Sequence, residues 1–292
     1  MDWLKRMNAA INYIENNITC DIDYKEVARI ACCPNYHFQR MFVFITEIPL
    51  SDYIRRRRLT LAAFELQHNN SSVIEIAQKY GYTSHSAFTR AFKEIHGIAP
   101  TSARKSGVKL KAYPRMSFHI SISGGTEMNY RIEKIGPFSA VGFKYNVSTE
   151  KAFSTVPVIW QETQQNGIGE RLLNLMDTNP KKTLNGILGI LSDGDWGNNK
   201  DFSYHLAVPY EKETPVGMEK LNFPESQWVV FEAPKLTDII KSWKRLYTDW
   251  APTSTYSFAD LPAIECYYPP GHNPQNELWI PIVKKDNTAN TI

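Results

Sequence analysis

Apolar residues recur along the first third of the chain at the spacing of helix faces. Leu4, Met7, Ala10, Ile11 and Ile14 form one such stripe. Asp23 with Glu26 three positions on predicts a capping box and a second helix. Pro34 suits the first turn of a third helix, running to about Phe44, because its missing N–H is not needed there. A long helix is predicted from Ser51 through Leu59, Ala62, Ala63 and Leu66, ending before His68-Asn69-Asn70. Ser72 or Ser71 caps a short helix that Gly81 stops. Ser84 starts another, reaching His96 before Gly97, and Pro100 opens a last turn.

The pattern changes near residue 107. Residues 108–126 read as a linker, in which Met116, Phe118, Ile120 and Ile122 alternate as in an extended strand. From residue 127 to 285 strand signals dominate. They fall at Met128–Ile135, Ser139–Asn146, Thr183–Leu191, Phe202–Val208, Gly217–Phe223, Gln227–Ala233, Ala263–Tyr268 and Glu277–Val283. Two helical stretches interrupt them, Val156–Gln165 and Thr237–Asp249. Strand–strand–helix–strand–strand therefore occurs twice. The chain is expected to be multidomain: an all-α domain (1–107), the linker, an α+β domain of two similar halves with a cleft between them, and a tail (286–292).

Net charge is only +3, but it is unevenly spread. Residues 1–115 hold 17 Lys and Arg against 10 Asp and Glu, while residues 116–292 hold 16 against 20. A basic helical half beside an acidic half points to nucleic acid as partner of the first half alone. Cys20, Cys32, Cys33 and Cys266 form no CxxC pair, and no HExxH, Gly-x-Ser-x-Gly or phosphate-binding glycine loop is present. Neither a metal site nor a catalytic centre is expected, and no cofactor. The sequence has no apolar run of membrane-spanning length and its start lacks a signal-peptide layout, so a cytoplasmic location without membrane contact is expected.

The helical half repeats itself. Phe38-Gln39-Arg40-Met41-Phe42 returns as Phe88-Thr89-Arg90-Ala91-Phe92, and Glu26-Val27-Ala28 as Glu75-Ile76-Ala77. Each copy reads as a short helix, a tight turn and a second helix, the helix-turn-helix arrangement. The second helices would offer Asn35, Tyr36, Gln39 and Arg40, and then His85, Ser86, Thr89 and Arg90, to double-stranded promoter DNA. Arg suits guanine edges and Gln adenine edges. In the run Arg55–Arg58, Arg55 is a candidate for phosphate contact and another arginine for an internal ion pair.

These segments resemble the AraC/XylS family of transcription regulators over residues 4–105. The resemblance rests on Tyr36–Phe42, on Tyr53-Ile-Arg-x-x-Arg-Leu59, and on Ile76-Ala-x-x-x-Gly-Tyr-x-Ser84 leading to Phe88–Phe92 and Pro100. It implies two recognition helices in successive major grooves, most commonly of an activator that contacts RNA polymerase. Two motifs in one chain would let a monomer bind. Two positions depart from the pattern: Cys32 stands where the second copy has Gly81, and Glu47 where it has Gly97.

The acidic half is rich in rings: Trp160, Trp196, Tyr204, Trp228, Trp243, Tyr256, Phe258, Tyr268 and Trp279. Glu265 and Glu277 stand in apolar strand segments. Rings with a buried carboxylate suit a cationic or aromatic small molecule. The region resembles the GyrI-like effector-binding domain, on Gly136-Pro-Phe, Phe202-Ser-Tyr, Ala263-Ile-Glu-Cys-Tyr267 and Glu277-Leu-Trp-Ile-Pro-Ile282. That resemblance implies pseudo-symmetric halves and an effector site, with Glu277 on the final strand meeting a cationic ligand. Trp279, Tyr268, Glu265 and Trp228 are the further effector-site candidates. A protein-interaction module without ligand, or a small-molecule hydrolase, are the alternatives for this half.

Overall fold

The structure is a computed structural model and describes residues 2–119, 127–176, 184–193 and 201–285. Trp196, the linker's Ile120 and Ile122 and the tail 286–292 lie outside the described residues. The chain forms two compact units. The first comprises Met1–Ala31 with Ile48–Ser121, the second Cys32–Glu47 with Ile122–Ile292.

The first unit is helical: α1 (Asp2–Asn16), α2 (Tyr24–Ala31), α4 (Leu50–His68), α5 (Val73–Lys79), α6 (His85–His96) and α7 (Pro100–Ala103). At Ser72 and Ser84 its caps are those the sequence predicts, whereas the box expected at Asp23 and Glu26 is replaced: Asp23 Oδ1 accepts from Lys25 N at 2.9 Å and Glu26 pairs with Arg29. Ser72 Oγ accepts from Glu75 N at 3.1 Å while Glu75 Oε2 accepts from Ser72 N at 2.7 Å, a complete capping box. Ser84 Oγ accepts from Ala87 N at 3.2 Å. Leu59, Leu66, Ile76, Phe88, Phe92 and Ile95 join in one core. The arginine run is spent inside this unit. Arg57 forms a two-pronged, buried pair with Glu15 at 2.8 and 2.9 Å. Arg55 and Arg56 share Asp52, and Arg58 donates to the carbonyls of Ile18 and Cys20.

Residues 113–119, which include the described part of the alternating run from Met116 to Ile122, do not form a strand. They are held by side chains instead: Tyr113 N donates to Thr60 Oγ1 at 3.0 Å and Phe118 N to Asn8 Oδ1 at 2.9 Å.

The second unit contains α3 (Asn35–Thr46) and a continuous antiparallel sheet. Its strands are β1 (Tyr130–Ile135), β2 (Phe138–Ser148), β3 (Ile187–Asp193), β4 (Asp201–Pro209), β5 (Glu219–Phe223), β6 (Ser226–Ala233), β7 (Tyr256–Phe258), β8 (Ala263–Tyr267) and β9 (Asn276–Lys284). Helices α8 (Ala152–Gln165) and α9 (Ile168–Leu175) follow β2. Helix α10 (Leu236–Arg245) follows β6 and continues through a π-helical turn, Leu246–Trp250, into α11 (Ala251–Thr253). Helix α9 and the short β7 were not anticipated. The order β1-β6-β9-β8-β3-β4-β2-β5 reads the same from either end once the two halves are exchanged. Each half lends its first strand to the other: β1 pairs with β6, and β5 with β2. The halves meet at β3–β8, where Gly189 lies opposite Glu265.

The two departures at the helix ends have a backbone cost. Cys32 and Glu47 adopt φ of 54° and 62°, the left-handed conformation that Gly81 (79°) and Gly97 (77°) adopt in the second copy. Each non-glycine residue there carries strain of about 1 kcal/mol. Glu47→Gly and Cys32→Gly are each expected to stabilise the chain by up to that amount, read as a raised Tm.

Candidate functional site

Strand alternation decides which side chains share a face. On the face that carries α8 and α10, β8 presents Glu265 and Tyr267, β4 presents Phe202 and Tyr204, and β3 presents Leu191. Together with α3, α8 and α10 they line a cavity of about 620 Å³. Its walls are mostly apolar, from Val43 and Phe44 on α3, Val156 and Trp160 on α8, and Ile239, Ile240 and Trp243 on α10. Leu236 and Ile240, also lining it, remain exposed to solvent.

One carboxylate stands at the floor. Glu265 is 4 % exposed. Trp243 Nε1 donates to its Oε1 at 2.7 Å, and Tyr267 Oη donates to its Oε2 at 2.9 Å. Trp160 Nε1 donates to Tyr204 Oη at 2.9 Å, and the Trp160 and Tyr267 rings meet edge to face at 4.6 Å. Burial, and then the charge of Glu265, push the Tyr204 and Tyr267 hydroxyls far up, so both stay protonated. Gly189 makes room for this arrangement. A Cβ there would lie 2.4 Å from Tyr204 Oη.

The cavity already holds a cationic group. Arg40, on α3, places Nη2 3.1 Å from Glu265 Oε1. Its guanidinium lies 4.0 Å from the Trp243 ring centre and 5.5 Å from that of Phe44. Its side chain is 17 % exposed, and its buried Nε has no hydrogen-bond partner among the described residues. Beside it, His37 stacks on Phe258 at 4.8 Å and bonds Tyr247 Oη at 3.2 Å. Burial, and then the charge of Arg40, push His37 down to about 3. Since this lies below the ordinary 6.5, the stability tied to neutral His37 is present above pH 6.5 and is lost as pH falls toward the folded value. Between pH 7.5 and 5 the loss is expected to be about 2 kcal/mol. His37→Phe should remove that part of the pH dependence in paired denaturation curves.

Of the five effector-site candidates, only Glu265 lines the cavity. Glu277, Trp279, Trp228 and the neighbouring Tyr268 belong to the opposite side of the sheet, because Glu277 pairs in register with Cys266 and Trp279 with Ile264, not with Glu265. There Glu277 is 2.6 Å from Arg131 Nη1 and accepts from Tyr268 Oη at 2.6 Å and Trp279 Nε1 at 3.0 Å. Trp228 and Trp279 pack in the core of that face. Its charge is thus neutralised internally. The residues not singled out for the site from sequence are Arg40, acting as a cavity residue, and Trp160, Tyr204, Trp243 and Tyr267. The first three of these rings were three among the nine named for the acidic half. A clue to the correct face was Gly189 within Ile187–Leu191, a glycine that a buried strand needs only where something approaches it closely.

The DNA candidates divide in the same way. His85, Ser86 and Arg90 are exposed on α6, and Thr89 is half-buried. Arg90 has no ion-pair partner among the described residues, since Glu94 pairs with Arg55 at 3.1 Å. Arg55 is itself held by Asp52 and Glu94. On α3, Gln39 is 7 % exposed and bonds Asn35 Oδ1 at 3.2 Å. Tyr36 lies on the same helix.

A twice-repeated helix-turn-helix sequence joined to a domain with a ligand-sized cavity defines the class: a DNA reader fused to a small-molecule binder. Comparison with known proteins gives the family. A model of a GyrI-like small molecule binding domain matches residues 128–283, and one of a helix-turn-helix domain matches residues 27–106. The HTH-type transcriptional activator AarP of Providencia stuartii is 42% identical over 94 residues, 32% of this chain and 70% of that protein. The Tn10 TetD protein of Escherichia coli is 39% identical over 94 residues, 32% and 68% respectively. The structure of SAV2435 bound to tetraphenylphosphonium aligns with a TM-score of 0.45 at 18% identity, covering 53% of this chain and 94% of that one. The chain belongs to the AraC/XylS-type regulators and carries a GyrI-like domain after its helix-turn-helix region. The GyrI-like domain is a small-molecule binding module. Among the described residues, no helix is long and apolar enough to cross a membrane.

Proposed function

We propose that this protein is a transcription activator whose promoter binding answers to an apolar cation held at Glu265. The observation that carries the reading is a buried carboxylate, surrounded by aromatic rings, at the floor of a cavity of about 620 Å³. Glu265 is paired here by the cation of Arg40, and a buried anion without such a partner costs several kcal/mol, so a ligand that takes this position must bring positive charge, on an apolar body to suit the walls. A cavity of this size also supports a sensor over a filled interaction module. Binding of phenylbutylguanidinium tests this directly. Its neutral isostere, phenylbutylurea, should bind at least about tenfold more weakly, and Glu265→Gln should erase the difference. Equal affinities for the two compounds would remove the charge-pairing role.

Residues 1–107 are assigned to DNA. His85, Ser86, Thr89 and Arg90 on α6, and Asn35, Tyr36, Gln39 and Arg40 on α3, are the base and phosphate readers. Arg55 contacts phosphate only by giving up a carboxylate partner. Selection of bound sequences from a random duplex pool supplies the operator. On that operator, Arg90→Ala is expected to cost about 1–3 kcal/mol, and wild-type affinity should fall steeply with added salt. A flat salt response would contradict a phosphate-rich interface. The protein acts as a monomer in the cytoplasm and contacts RNA polymerase; sedimentation and a co-binding assay on promoter DNA check both.

A further inference from the structure

We infer that Arg40 is an internal occupant of the effector site, and that a guanidinium or similarly delocalised monocation on an apolar body competes with it there. The inference rests on the reading of the Glu265 cavity as an effector site. Arg40 makes the contacts such a ligand would make: an ion pair with Glu265 at 3.1 Å and a cation–π contact with Trp243 at 4.0 Å. One guanidinium cannot satisfy Glu265 and a guanine or phosphate at once. A second cation of the same kind cannot share the Glu265–Trp243 position either, because the two like charges would repel across a desolvated space. Filling the position from outside therefore frees Arg40.

The helix that carries Arg40 is built for this seat. Helices α3 and α6 are the two copies of one repeat, yet they differ where α3 packs against the rest of its unit. Val43 and Phe44, both lining the cavity, stand where α6 has the exposed Lys93 and Glu94. His37, stacked on Phe258, stands where α6 has Ala87. A recognition helix that only met DNA and its own domain would need one apolar face, as α6 has. Helix α3 carries His37, Val43 and Phe44 beside Arg40 on a second face, and that helix contacts α10, the π turn and β3. Its hold combines apolar contact with one ion pair that a ligand can take over. The fit is also incomplete. Arg40 Nε is left without a partner among the described residues, and the cavity extends past the guanidinium to Trp160 and Leu236. A cation with a larger apolar body fills space that Arg40 cannot reach.

Competition makes a prediction at the ligand site that needs no DNA. In calorimetric titrations of the full chain, Arg40→Met should bind phenylbutylguanidinium at least about tenfold more tightly than wild type, because the fraction of open sites rises. Methionine keeps the buried stem and removes the charge, and circular dichroism checks the fold. Equal or weaker binding by Arg40→Met would overturn the inference while leaving the effector reading intact. Absence of cation binding by wild type and by Arg40→Met alike, with both folded, would overturn the effector reading itself. The DNA arm uses proteins that retain Arg40. Saturating phenylbutylguanidinium should raise wild-type affinity for the selected operator about tenfold. Glu265→Gln should begin near that raised affinity and not respond. An operator affinity unchanged by the cation in wild type would refute the release of Arg40.

Discussion

Arg57→Ala is expected to destabilise the helical unit by about 3–5 kcal/mol, among the largest losses any single side chain in it would cause. Arg57 is one of four consecutive arginines, and on sequence alone nothing sets it apart from a solvated basic face. The structure buries it. Its guanidinium grips Glu15 with two nitrogens at 2.8 and 2.9 Å and donates a third bond to the carbonyl of Tyr113 at 2.7 Å. Tyr53 Oη donates to the same carboxylate at 2.6 Å. Removing the arginine leaves Glu15 buried with one neutral donor. Burial alone would raise Glu15, but bonds from Arg57 and Tyr53 outweigh it and hold it below the ordinary 4.5. This stabilisation is therefore present above pH 4.5 and disappears as the pH falls through the lower folded value. Urea denaturation followed at both pH 7 and pH 3 checks the magnitude and its sign: Arg57→Ala should differ from wild type far more at the higher pH. Arg55→Ala, whose partners are partly exposed, should cost less than about 1 kcal/mol.

Trp243→Ala is expected to cost the second unit about 3–5 kcal/mol and to abolish binding of phenylbutylguanidinium. Trp243 is fully buried and has three tasks. It packs against both Phe44 and Tyr247, gives Glu265 a hydrogen bond at 2.7 Å, and offers its face to the guanidinium of Arg40. Trp243→Phe separates them. It keeps most of the packing and the ring face but removes the N–H donor, so stability should recover by more than half while cation affinity remains reduced. Full recovery of cation binding in Trp243→Phe would show that the Glu265 hydrogen bond does not matter to the site. Unfolding of the two units should be followed with separate probes, because a two-unit chain need not melt in one step.

The architecture was legible because each half of the chain carries one clean periodicity. Helical stripes, serine caps and stop glycines fixed α1 and α4–α6 to within a residue or two. Period-two runs found eight of the nine strands among the described residues. The site was less legible, for a physical reason. Alternation says that Glu265 and Glu277 each lie on a buried face, but it does not say which face a helix will cover. Both glutamates are flanked by aromatics, and both are buried and paired. Only the register β3–β8–β9 separates them, and register depends on contacts distant in sequence. The seat of α3 was hidden in the same way. Phe38 and Phe42 made the helix look like its repeat mate, while Val43 and Phe44 passed as extra core. The asymmetry lies at single positions, since Val43 and Phe44 stand where α6 has Lys93 and Glu94.

The exchange of first strands between the halves has a mechanical consequence. Because β1 belongs to one half by sequence and to the other by hydrogen bonding, and β5 likewise, no line across the sheet separates two lobes without breaking a ladder. The floor beneath Glu265 is part of one continuous hydrogen-bonded sheet. Compliance is left to elements attached through side chains rather than through a ladder: α8, α10 and above all α3. On the proposed competition, the cost of seating a ligand is therefore met at side-chain contacts over the sheet, those of Arg40 first, with every ladder of the floor kept.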